Sequence, residues 1–440
     1  MLFVTLALFL SFIVIFWPRF GIISMLFLWG TIYQLIPEQT QFIFAGIEIT
    51  PSRILGVALT VALMITTLIR LPRIRWSSSM IVLLVFSVWC LITILFATHK
   101  PEALSLYIRF LSGFFLYTSV AVIFNTPENI RKLFKWMVIT GGIAAITAVY
   151  DYVSKTGVSF FPTIVYREKG IFGAPGGTAT LFLVLIFFIF AIWTQIKTFY
   201  GKLFLASIFL LLSLGIFITL TRASILGLFI MLLFWGHGRY KSTRSPGTLV
   251  LWILIPVSIT IIGLSFVGFK AFTERTKDIP IIGQVKITDP QAGMGRIGLW
   301  KTNIEKLKKA SILTIFFGSG LSDSQFRKEG SRVIKGEFTH NDFLFLLLDT
   351  GLIGLGLYIC WIILMLKHSR ELYIKSNISL LKNIGLASKC LILGYTAVGF
   401  FGLTLFVTAH RWYYMTALGC VEAIIMQLEF WSQSDFKKIS

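Results

Sequence analysis

Thirteen apolar stretches, most of them near twenty residues long, constrain this chain more than any other feature. They cover roughly 2–16, 20–36, 53–71, 79–97, 105–124, 136–153, 173–196, 203–221, 223–236, 248–268, 339–366, 386–408 and 412–430. About 20 apolar residues in a helix cross the hydrocarbon core of a bilayer with every backbone polar group paired inside the segment. The expected fold is therefore an all-α polytopic integral membrane protein with about 12–13 transmembrane helices. The first two stretches are short, and Trp17-Pro18-Arg19 between them joins either two spans or a broken, re-entrant element. Composition agrees: 13% of residues are charged and 56% hydrophobic, where soluble domains carry roughly a quarter charged. Soluble enzymes, disordered chains and disulfide scaffolds are excluded. Cys90, Cys360, Cys390 and Cys420 each lie inside an apolar run and read as small buried hydrophobes. The start, Met1-Leu2-Phe3, has no basic region before its apolar run and reads as a retained span. No repeat of fixed period is evident.

The net charge of +21 has a pattern that orients the spans. One set of alternate short connections, with the C-terminal tail, carries eighteen Lys and Arg residues, among them Arg70, Arg131, Lys197, Arg239, Lys367 and Lys437. The opposite set carries seven, including Lys100, Arg222 and Arg411. Cytoplasmic loops hold the excess of cations, so the first set is expected inside and the second outside. The chain then divides into N-terminal transmembrane helices over 1–268, an extracytoplasmic loop over 269–338, and C-terminal transmembrane helices with a short tail over 339–440. The loop holds thirteen Lys and Arg against seven Asp and Glu. Loops this long are uncommon unless functional. Within it Ile297, Trp300, Ile304 and Leu307 recur at helical spacing, which predicts an amphipathic helix lying on the membrane surface.

Three polar features gather on the outer side. Arg222, in Thr221-Arg222-Ala223-Ser224, stands at a turn between spans, where a guanidinium either anchors to lipid phosphates or serves a site. Arg296 follows Gly293-Met294-Gly295 and precedes Trp300. A planar cation beside glycines suits phosphate oxygens, although one more solvated charge is the plain alternative. Gly318-Ser319-Gly320 is a tight turn or an anion-cradling nest. His340, in Thr339-His340-Asn341-Asp342, sits where the long loop re-enters the membrane. Imidazole accepts a proton near neutral pH and suits a general base; a polar helix-start residue is the alternative. Thr339 or Asn341 would cap the helix that follows. Asp349 lies nine residues on, about 13.5 Å along that helix and on the face opposite His340. It should brace a neighbour, for example through Arg109. His237 and His368 lie among cytoplasmic cations as ordinary loop residues, while His99 and His410 fall on the outer side. No metal-ligand constellation is visible, and the loop is cationic.

Taken in order, these pieces resemble the O-antigen ligase/polymerase superfamily. The resemblance rests on Thr221-Arg222-Ala223-Ser224, Gly295-Arg296 with Trp300, Gly318-Ser319-Gly320, His340-Asn341-Asp342-Phe343-Leu344 and Asp349-Thr350-Gly351-Leu352-Ile353-Gly354-Leu355. It covers 205–360 in detail. It implies a GT-C-like membrane glycosyltransferase of the bacterial inner membrane with its active site facing the periplasm. The implied donor is a glycan on undecaprenyl diphosphate, and the implied acceptor is lipid A–core or another glycan. It implies no cofactor, no metal and no nucleic acid, with membrane lipids as the surroundings. In that family the arginines matching Arg222 and Arg296 hold the diphosphate, and the histidine matching His340 activates the acceptor hydroxyl. Asn341, Asp349 and Trp300 are expected to support them. The single large loop leans toward a ligase, with a repeat-unit polymerase as the alternative. A transporter would show broken midplane helices and internal pseudo-symmetry, whereas here the polar residues gather at one face.

Overall fold

A computed structural model describes residues 2–31, 42–44, 47–49, 51–71, 75–154, 158–159, 166–167, 175–243, 263, 265, 296–329, 332–335, 339–376 and 378–427. The chain is an all-α membrane protein. Its helices are α1 (Leu2–Phe16), α2 (Pro18–Thr31), α3 (Pro51–Ile69), α4 (Ser78–Phe96), α5 (Lys100–Ile123), α6 (Pro127–Val153) and α7 (Pro175–Ile192). There follow α8 (Phe199–Ile218), α9 (Arg222–Thr243), α10 (Arg296–Lys308), α11 (Ile312–Phe317), α12 (Asp342–Lys375), α13 (Ser379–Phe401) and α14 (Thr408–Gln427). Three short antiparallel strand pairs lie in the connections: Phe42–Phe44 with Ile47–Ile49, Val158–Ser159 with Tyr166–Arg167, and Phe326–Glu329 with Arg332–Lys335. Among the described residues eight helices are long and apolar enough to cross a membrane, and two shorter apolar ones cover Ala7–Phe16 and Ile54–Ile69. Apart from residues 263 and 265, the stretch expected over 248–268 lies outside the described residues.

Polar residues just ahead of apolar runs start several of these helices. The Ser77 hydroxyl accepts the Met80 N–H at 3.2 Å, Thr126 accepts Asn129 N–H at 3.3 Å, and Thr198 accepts Gly201 N–H at 3.2 Å. Each satisfies a backbone donor that the first turn cannot pair. Pro127 follows Thr126 where its missing N–H costs nothing. Several helices outrun the apolar windows read from the sequence: α6 begins at Pro127, and α9 continues to Thr243. Helical hydrogen bonding does not stop at the edge of the hydrocarbon, so charged turns prolong the rods.

The central helix is α7, whose residues from Leu181 to Ile192 are all buried. It packs against α6, α8, α13 and α14. By contrast α4 turns Ile81, Val85, Val88, Leu91 and Leu95 outward, an apolar face suited to lipid. Where α9 crosses α13, a Cβ on Gly227 would stand 3.0 Å from the Gly394 carbonyl, and one on Gly394 would stand 2.8 Å from that of Gly227. Small residues let the two backbones touch, a common solution where apolar packing alone gives no driving force. The chain reverses at Trp17-Pro18, and Gly21 lies directly on the Val14 backbone. Three cysteines are buried as expected; Cys360 is exposed on α12, on a side facing out of the bundle.

Candidate functional site

The α8–α9 turn places Arg222. Leu220 holds a left-handed backbone, φ +53°, which a bulky residue rarely adopts. The Thr219 hydroxyl donates to the Ile216 carbonyl at 2.8 Å and lies 3.0 Å from the Thr221 hydroxyl. The Thr221 carbonyl then accepts from Ser224 and Ile225 N–H, both at 3.1 Å, opening α9 at Arg222. Buried Ser224 meets Thr180 of α7 at 3.3 Å, which pins this helix end to the central helix. The Thr-Arg-Ala-Ser string therefore builds a rigid turn and leaves Arg222 half-buried at its tip.

Arg296 opens α10, and Trp300 follows it by one helical turn. Gly293 and Gly295 lie outside the described residues. The indole Nε1–H of Trp300 donates to the Thr339 carbonyl at 2.8 Å, and its ring lies 6.2 Å from that of Phe401. The expected apolar stripe of α10 splits: Trp300 turns toward the bundle and Asn303 is buried, while Ile304 is exposed. Docking on Thr339 and α13 sets the helix's rotation more strongly than the stripe does.

His340 is half-buried and has φ +49°. A non-glycine residue held there stores on the order of 1–3 kcal/mol of strain, which persists only where the surroundings over-determine it. Its neighbours are indeed held on both sides. Trp300 holds the Thr339 carbonyl. The Asn341 side chain accepts Leu344 N–H at 3.0 Å and caps α12, as expected. The Asp342 carboxylate, buried, accepts Thr404 N–H at 3.0 Å, Leu405 N–H at 3.3 Å and the Thr404 hydroxyl.

The start of α9, the docked Trp300 and the start of α12 lie toward one end of the bundle. Gly227 lies against Gly394 and Val398, and Gly238 against Leu386, so α9 and α13 run antiparallel. Arg222 thus begins α9 level with the last turn of α13. That same turn carries Phe401, which faces Trp300, and Phe400, which stacks on Phe343 with ring centroids 4.2 Å apart.

Asp349 braces the chain, but through a different partner from the one expected. Its carboxylate accepts Ser322 N–H at 2.7 Å and Ser324 N–H at 2.9 Å, so it holds the loop after α11 in place of an Arg109 side chain. The helix breaks two residues later at Gly351, φ 68° and ψ −171°. Carbonyls freed by the break are taken by that loop: Leu348 accepts Ser319 N–H at 2.9 Å, and Asp349 accepts Gly320 N–H at 3.1 Å. Gly318 N–H bonds to the Thr314 carbonyl at 2.8 Å. All three amides of Gly318-Ser319-Gly320 are thereby engaged, which makes it a docking turn and removes the anion-nest reading. A Cβ on Gly318 would lie 2.3 Å from the Asp349 carbonyl oxygen, and one on Gly351 2.3 Å from that of Phe316. Asp323 completes the attachment by accepting Thr98 N–H at 2.9 Å and the Thr98 hydroxyl at 2.8 Å.

Two further residues differ from expectation. Arg411 is no loop cation: it is wholly buried in the first turn of α14, donating to the Leu405 carbonyl at 2.6 Å and to the Arg109 carbonyl. His368 is no loop residue: it is buried near the far end of α12, 2.8 Å from buried Glu422. Carbonyl dipoles and a paired carboxylate are what make such burial tolerable. Spacing and motif do not predict the buried contacts of Asp342, Thr404, Arg411 and Glu422. The one available signal was an ionisable residue inside or beside an apolar run. Among the described residues no three His, Cys, Asp or Glu side chains group as metal ligands.

Residues 206–359 match the family model described as O-antigen ligase. The matched span runs from α8 through the broken part of α12 and takes in Arg222, Arg296, Trp300, His340 and Asp349. It supports the O-antigen ligase/polymerase superfamily, whose members are membrane glycosyltransferase-like enzymes. No curated protein matches the chain.

Proposed function

We propose, from the chain's place in the O-antigen ligase/polymerase superfamily, that it transfers a glycan from undecaprenyl diphosphate to an acceptor sugar hydroxyl at the periplasmic face of the inner membrane, as an O-antigen ligase acting on lipid A–core. Arg222 and Arg296 hold the diphosphate, whose negative charge grows as the glycosidic C–O bond breaks. Fixed guanidinium groups stabilise such charge without reorganising at the moment of reaction. His340 takes the proton of the acceptor hydroxyl as its oxygen bonds to the anomeric carbon. Undecaprenyl diphosphate leaves with the bonding pair. Its tail stays in the bilayer throughout, and exclusion of water protects the activated glycan from hydrolysis.

The observation that carries this reading is the Trp300–Thr339 hydrogen bond. It joins the helix that begins with Arg296 to the residue before His340, at the end of the bundle where α9 begins with Arg222. The test is reconstitution in liposomes with undecaprenyl-diphosphate glycan and two acceptors: lipid A–core, and a second lipid-linked repeat unit. Transfer to lipid A–core that His340→Ala abolishes, and that Arg222→Lys also loses, is expected. Transfer only to the second lipid-linked unit would make the chain a polymerase. Full activity of His340→Ala would remove the base from the mechanism. Activity is expected to persist in excess chelator; loss restored by Mg²⁺ would overturn metal-independent transfer.

A further inference from the structure

We infer that Asp342 is a positioning residue for His340, acting through a clamp between the start of α12 and the α13–α14 turn; this rests on the reading of His340 as the base. His340 has a backbone conformation that its own side chain disfavours, so something outside it must hold the segment. Upstream, the hold is the Trp300–Thr339 bond. Downstream, the first side chain anchored to another element is Asp342, since the Asn341 side chain bonds only within its own helix.

The anchor is built for a carboxylate. Two backbone N–H groups and one hydroxyl converge on its oxygens from Thr404 and Leu405. Gly399 makes room, because a Cβ there would stand 2.8 Å from Asp342 Oδ2. The turn that receives the carboxylate is itself immobilised. Tyr395 Oη–H donates to the Thr404 carbonyl at 3.1 Å, and Arg411 Nη1 donates to that of Leu405 at 2.6 Å. Arg411 also reaches the Ser112 hydroxyl of α5 at 3.3 Å, so the clamp is referred to the middle of the bundle. Asp342 is 1% exposed. It therefore cannot touch an acceptor sugar, and its effect on transfer must pass through the adjoining backbone.

The experiment compares wild type with Asp342→Asn and Thr404→Val in full-length protein in liposomes. It reads kcat, acceptor KM, and the rate at which diethyl pyrocarbonate modifies His340, followed by mass spectrometry with exposed His237 as internal reference. Asn keeps one acceptor oxygen, and Val removes only the hydroxyl donor. Expected are a fall in kcat of tenfold or more for Asp342→Asn and about threefold for Thr404→Val, with acceptor KM unchanged. His340 should be modified at least threefold faster than in wild type, with His237 unaltered. Wild-type kcat in both variants, or a lower kcat with His340 modified at its wild-type rate, overturns the inference. Thr404→Val carries the test if Asp342→Asn does not fold. Full activity in His340→Ala would instead refute the base itself, and the two failures are told apart by that variant.

Discussion

Replacing Asp349 by alanine should release the docking turn while leaving the bundle folded. The wild-type carboxylate accepts two backbone N–H groups, at 2.7 Å from Ser322 and 2.9 Å from Ser324, and is fully buried. Alanine offers neither acceptor, and each buried donor left unmade costs about 1–3 kcal/mol. The pair therefore loses about 2–6 kcal/mol, drawn from the local stability of residues 318–325. The Asp323–Thr98 bonds and the Ser319 and Gly320 amides remain, so the lower end of that range is expected. Since 1.4 kcal/mol is tenfold in an equilibrium, about 2 kcal/mol should accelerate amide exchange in this segment roughly 30-fold. Hydrogen exchange read by mass spectrometry on a peptide covering 318–325 measures it, with an α7 peptide as the invariant control. Asp349→Asn keeps one oxygen acceptor and should lie between. Exchange of the 318–325 peptide in Asp349→Ala within twofold of wild type would refute the docking argument.

Gly351→Ala should lower the melting temperature in detergent and reduce folded yield, because its backbone geometry is nearly confined to glycine and costs other residues about 1–3 kcal/mol before the collision with Phe316 is counted. A wild-type melt would refute it. Trp300→Phe keeps the ring against Phe401 and loses only the donor to Thr339, so about 1 kcal/mol, or roughly fivefold in rate, should be lost without a change in melting temperature. Steady-state transfer kinetics decide this, and an unchanged kcat sinks it. Glu422→Ala strips buried His368 of its carboxylate partner and Ser79 of one of its partners, and should destabilise by about 1–3 kcal/mol. Thermal unfolding followed by circular dichroism checks it, and a shift under a degree would show the pair to be dispensable.

The helical segments were legible because each apolar run has the length that a bilayer demands, and most boundaries missed by only a turn or two. α12 shows where that reading stops: Asp349-Thr350-Gly351 interrupts its apolar run for only three residues, and run length alone does not say that the helix breaks there. The break exists because the 318–325 turn supplies the amides that satisfy the freed carbonyls. Arg411 illustrates the same gap for the site. It stands beside an apolar run and counted as an outer cation, yet carbonyls of Leu405 and Arg109, the latter 302 residues away, make it a buried tie.

Local order in the chain determined that this protein is a helical membrane protein, and which polar side chains stand out against the apolar runs, because hydrophobic run length and residue type are properties of short segments. Tertiary structure alone decided how those side chains are held. A carboxylate, an indole or a guanidinium can bond to any carbonyl or amide within reach, and reach is set by which helix ends the packing brings together. Asp342, Asp349 and Trp300 each selected partners 25 to 63 residues away in the chain, by a contact that no spacing rule encodes.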